Sequence, residues 1–87
     1  MNRGIILEQA KTLTNNDRQQ SYGTPLSNFT RIANLWSNYL EIDITPEQAA
    51  MCMALVKVSR SMQSKEVDNY IDGAAYFAIA GELSNDN

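Results

Sequence analysis

Two Thr-Pro pairs, Thr24-Pro25 and Thr45-Pro46, constrain this chain more than any other feature of its 87 residues. A threonine hydroxyl before a helix accepts from a backbone N–H of the first turn. Proline fits the first helical position because its missing N–H would have no intrahelical partner there. Each pair therefore predicts a helix start, and Gln48 is placed to complete a capping box with Thr45. After the first pair, Phe29, Ile32, Ala33, Trp36 and Leu40 recur along one helical stripe. After the second, Ala49 to Val58 is apolar nearly all round, which predicts a central, buried third helix. Upstream, Ile6, Ala10 and Leu13 predict a short amphipathic helix over 4–14, closed by Asn15-Asn16-Asp17, whose side chains compete for backbone hydrogen bonds. Beyond the polar break Gln63-Ser64-Lys65-Glu66, a fourth helix is predicted from about Val67 to Leu83. No strand alternation, repeat or linker interrupts this pattern. The expected fold is all-α: one four-helix domain over 1–84, a short N-terminal helix plus three longer ones, with a frayed tail at 85–87. Its expected core is Phe29, Ile32, Trp36, Met51, Leu55, Val58, Ile71, Ala74 and Ala78.

Apolar residues make up 44% of the chain, enough for a core but, at this length, a small one. Ten acidic against seven basic residues give a formal charge of −3, which argues against general nucleic-acid binding or an anionic-membrane surface. The single Cys52 lies in an apolar run and reads as a buried small hydrophobe, so no disulfide can form within the chain. Acid at Glu8 arrives too soon for a signal peptide, and no apolar run approaches a membrane span, so a cytoplasmic protein is expected.

The fourth helix carries two apolar faces, one with Val67, Tyr70, Ile71, Ala74 and Ala78, the other with Tyr76, Ile79 and Leu83. That is more than one small core requires. The second face packs either on the first helix or on another copy of the chain. The reading leans to a homo-oligomer through Tyr76, Ile79 and Leu83, since small scaffolds often gain stability by association.

Lys57 and Arg60 are three apart and share a helix face with small residues, while Asp68 and Asp72 are four apart on the next helix. An antiparallel hairpin turning near Lys65 would set the cations opposite Tyr70 to Gly73. Two readings stay open: interhelical ion pairs, or a polar site for a phosphorylated or otherwise anionic ligand. The segment from Asp17 to Phe29 is denser in chemistry than a connector needs, and loops on a rigid scaffold are where binding residues concentrate. Tyr22 there stacks on a base or lids the core, and Arg18 binds phosphate or caps a carbonyl. Asn28, one residue before Phe29, points off the apolar stripe toward that loop. The candidate ligand-binding set is thus Arg18, Tyr22, Asn28, Lys57, Arg60 and Asp72.

The pattern Asp17-Arg18-Gln19, Tyr22-Gly23-x-Pro25, Asn28-Phe29-x-x-Ile32-Ala33-x-Leu35-Trp36, Ile44-Thr45-Pro46, Lys57-x-x-Arg60 and Asp68-x-x-x-Asp72-x-x-x-Tyr76 resembles a small domain of unknown function widespread in tailed phages and prophages. The likeness spans nearly the whole chain. The connection between helices three and four is shorter than in many members, and Tyr70 stands where tryptophan is common. The resemblance implies a viral accessory protein acting inside a bacterial host, without supplying an activity. More distantly the chain is similar to all-α nucleoside triphosphate pyrophosphatases of the MazG type, which hold magnesium through Glu-x-x-Glu and Glu-x-x-Asp motifs because a hard cation needs several carboxylate oxygens. Neither motif is present, and with no histidine there is no zinc or imidazole chemistry to invoke. No metal or cofactor is expected, and no catalytic residue is assigned.

Three functions follow in order. The first is an oligomeric module that holds a nucleotide-like anion, in a phage setting sequestering a host signalling molecule. The second is an interaction module that binds and modulates a host or phage protein through the spare apolar face of the fourth helix. The third is a pyrophosphohydrolase with an atypical site.

Overall fold

The computed structural model describes residues 1–17 and 23–85. It contains four α-helices, α1 (Arg3–Thr12), α2 (Pro25–Leu40), α3 (Pro46–Gln63) and α4 (Val67–Asn85), and no strand among the described residues. The domain is all-α, as the spacing predicts.

Both Thr-Pro starts form as expected. Thr24 Oγ1 accepts from the Ser27 N–H at 3.2 Å. At the head of α3 the capping box closes both ways: Thr45 Oγ1 accepts from the Gln48 N–H at 3.1 Å, and Gln48 Oε1 accepts from the Thr45 N–H at 2.9 Å. Asn2 caps α1 in the same manner, its Oδ1 accepting from the Ile5 N–H at 3.0 Å. The first helix does not stop at a clean cap; it runs on as a π-helical turn over Leu13–Asp17. Glu41 ends α2 in the left-handed conformation, φ 58°. Ser37 then clips the connection to α3, because its Oγ accepts from the Ile44 N–H at 2.8 Å and donates to the Ile44 carbonyl at 3.3 Å.

The last helix is the centre of the molecule: α4 packs on each of the other three. Its two apolar faces are both used within the chain. Val67, Ile71, Ala74 and Ala75 join Ile6, Ala10 and Leu13 of the α1 segment in one cluster. Tyr76, Ile79, Ala80 and Leu83 join Phe29 and Ala33 of α2 and Ala49, Ala50 and Ala54 of α3 in the main core. Phe29 and Tyr76 meet edge to face, ring centroids 6.1 Å apart and planes at 90°. Leu83 is the largest fully enclosed side chain, at 1% exposure. The expectation that Tyr76, Ile79 and Leu83 face a second copy is therefore corrected: α2 and α3 cover them.

The third helix also departs from its reading. Its inward face is built from Ala49, Ala50 and Ala54, with Met51 and Met53 half-buried. Alanine lets the α3 and α4 backbones approach closely, and the large side chains of α4 fill the space between them. The bulky residues of α3 are turned outward as a result. Leu55 and Val58, expected in the core, are exposed, as are Ala78 and Cys52. Ile32, Trp36, Met51 and Ala74 are half-buried against the two clusters, and Phe29 and Ile71 are fully in them.

Candidate functional site

The antiparallel pairing of α3 with α4 sets the charged chemistry. The connection after α3 is short, and the Asn69 side chain closes it by donating to the Ser64 carbonyl at 3.3 Å. Lys57 and Asp72 then face each other, Nζ to Oδ2 at 3.0 Å, with side chains only 13% and 24% exposed. A charge held this far from water needs its counter-charge, and each of these side chains supplies the other's. Gly73 lies beside it, where an added Cβ would meet the Lys57 Cβ at an ordinary 3.5 Å. Arg60 and Asp68 are exposed and take no part in the pair. Lys57, Val58 and Ser61 of α3 with Asn69, Tyr70, Gly73 and Ala74 of α4 line a hollow of about 200 Å³ next to it.

Arg18 and Tyr22 fall outside the described residues. Asn28 is half-buried near the start of α2, where its Oδ1 accepts from Arg31 Nη2 at 3.4 Å. A larger hollow, about 430 Å³, runs along the outer side of α2 past Ser27, Thr30, Arg31, Asn34, Leu35 and Asn38. Neither hollow is lined by both Asn28 and Lys57. Of the four candidates among the described residues, Lys57 and Asp72 are brought together as an ion pair. Arg31 was missed by sequence reasoning, although its position three residues after Asn28 puts the two on one helix face. Among the described residues no group of three or more histidine, cysteine, aspartate or glutamate side chains is arranged to hold a metal ion. No helix among them is long and apolar enough to cross a membrane.

What the surface does carry is large apolar side chains. On α2 and just past it, Leu35, Tyr39 and Ile42 are spaced four and three apart, and Tyr39 is 87% exposed. A second group, Leu55, Val58 and Met62, lies on α3.

Comparison with known proteins places these features in a family. The chain is 37% identical over 80 residues to the Gene 55 protein of Mycobacterium phage L5, an alignment covering 90% of this chain and 51% of that protein. It is 39% identical over 72 residues to the Gene 55 protein of Mycobacterium phage D29, covering 82% and 48% respectively. The chain thus spans about half the length of these curated relatives. No solved structure matches it. The family model described as Domain of unknown function (DUF6378) matches residues 5–84, and the chain belongs to that family, the small phage domain its motifs resemble.

Proposed function

We propose that the chain is a phage accessory protein that works inside the bacterial cell as a protein-interaction module, docking a phage or host protein on the edge formed by Leu35, Tyr39 and Ile42. One observation carries this reading: Leu35 and Tyr39, four apart on α2, stand in water beside the polar Arg31, Asn34 and Asn38, and Ile42 just past the helix end is exposed as well. An apolar centre with a polar rim is the composition of a protein interface, and tyrosine is a favoured anchor there. The partner this edge suits presents a small apolar groove with hydrogen-bonding groups at its border.

A photo-crosslinking amino acid at position 39, expressed during infection, tests the proposal. A discrete adduct is expected from position 39 and not from the exposed Glu8 on α1. Leu35→Glu in the same protein should abolish it. Equal labelling from both positions, or none from position 39, would overturn the reading.

A second reading, binding of an anionic, nucleotide-like small molecule, is favoured by the hollow along α2. Its volume, about 430 Å³, lies in the usual range for small-molecule sites, and Arg31 supplies a cation on its lining. The α3–α4 hollow serves this reading less well, since Lys57 is already neutralised by Asp72 and about 200 Å³ is below that range. A nucleotide present at a hundredfold its Kd would stabilise the fold by about 2.7 kcal/mol, more than roughly 10 °C in Tm for a domain this small. Arg31→Ala should abolish that shift and Lys57→Met should not. No shift with any anionic metabolite would overturn this second reading.

A further inference from the structure

We infer that a second copy of this chain docks on the α3–α4 hairpin to form a twofold, four-helix interface, on residues that the α2 edge does not include. Along α3, Met51, Leu55, Val58 and Met62 are spaced four, three and four apart; along α4, Tyr70, Ala74, Phe77 and Gly81 repeat the same spacing. That is the seam spacing of helices packed nearly parallel or antiparallel. The two seams adjoin, because Val58, Tyr70 and Ala74 line one hollow. Neither seam carries a charged residue. Lys57, beside them, is neutralised by Asp72.

The surface is complementary to itself. The Lys57–Asp72 pair fixes the register, setting Leu55 level with Ala74 and Met62 level with Val67. A twofold axis parallel to the helices lays α3 of one copy antiparallel on α4 of the other and preserves those levels. Leu55 of each copy then rests on Ala74 of the second copy. The two hollows face each other across the axis. Each has room for an aromatic ring, since a cavity of about 150 Å³ accepts benzene.

The area is sufficient for such a dimer. Phe77 and Tyr70 are 61% and 44% exposed, and Leu55, Val58 and Met62 are 57%, 48% and 78% exposed. With full side-chain areas of about 200 Å² for an aromatic and about 90 Å² for an aliphatic residue, these five offer about 400 Å² of apolar surface per copy. At an apolar fraction of about 65%, the interface buries roughly 600 Å² per copy, about 1,200 Å² in all, the lower bound of specific interfaces. Interfaces at this lower bound include weak, concentration-dependent ones, and the expected Kd is on the order of micromolar.

Sedimentation velocity on the whole chain from low micromolar to high micromolar concentration tests this. The weight-average mass should rise from 9.7 kDa toward twice that value. Leu55→Glu and, separately, Phe77→Glu should raise Kd by at least about a hundredfold while leaving far-UV circular dichroism unchanged, since both side chains are mostly in water in one copy. The wild-type series decides the matter even if one variant misfolds. A chain that stays at 9.7 kDa at the highest concentration overturns the inference, as does a dimer of undiminished affinity in the folded variants.

Discussion

Replacing Asp72 by asparagine leaves the Lys57 ammonium held at 13% exposure without its counter-charge. Removing one partner of a fully buried pair costs about 3–5 kcal/mol, and a surface pair is worth about 0–1 kcal/mol. This pair lies between those limits, closer to the buried end, so Asp72→Asn should cost about 2 kcal/mol. For a domain of this length that lowers Tm by roughly 8–16 °C. Lys57→Met should cost less, about 1 kcal/mol, because its stem keeps the packing beside Gly73 and the stranded Asp72, 24% exposed, can hydrate. The double variant should cost about 1.5 kcal/mol, which gives a coupling of about 1.5 kcal/mol. Urea titrations followed by far-UV circular dichroism supply all four stabilities. A coupling below about 0.3–0.5 kcal/mol, the error of additivity, would refute the assignment of these charges to the fold. Tighter binding of an anion by a fully stable Asp72→Asn variant would return Lys57 to the ligand reading.

Other changes probe the core and its connections. Leu83→Ala should cost about 2–5 kcal/mol, and Ile79→Lys should unfold the chain rather than dissociate an oligomer, as a denaturant series at two protein concentrations would reveal. Ser37→Ala strands the Ile44 amide and should cost about 1–2 kcal/mol, with hydrogen exchange at Ile44 accelerated more than at Leu83. Gly73→Ala should stabilise the fold by about 0.5–1 kcal/mol, because its methyl would meet the Lys57 Cβ at an ordinary 3.5 Å while the helix gains propensity; a lower denaturation midpoint would contradict this.

Much of the fold is written in local signals. Thr24-Pro25 and the Thr45–Gln48 capping box start helices where they should, since capping depends on residues within one turn. The Lys57–Asp72 contact also follows from a short antiparallel connection and a helical period. Orientation of the third helix was not legible, because a segment apolar on every side has no preferred inward face. Close approach to α4 selected Ala49, Ala50 and Ala54, a choice made by volume across two helices rather than by hydrophobicity along one. The same volume fixed the fate of Tyr76, Ile79 and Leu83. Their face was visible in the sequence, but the demand of the small α3 alanines for large neighbours appears only once the helices are paired. At the candidate site, the contact of Asn28 with Arg31 is legible too, since three-residue spacing puts both on one helix face.

The most direct test of the docking edge is hydroxyl-radical footprinting of the purified chain and of the chain in infected cells. Tyr39, at 87% exposure, should be among the most reactive residues in the purified protein and be protected several-fold in the cell, while the buried Tyr76 stays unreactive in both. Equal reactivity of Tyr39 in the two settings would contradict the proposed interface.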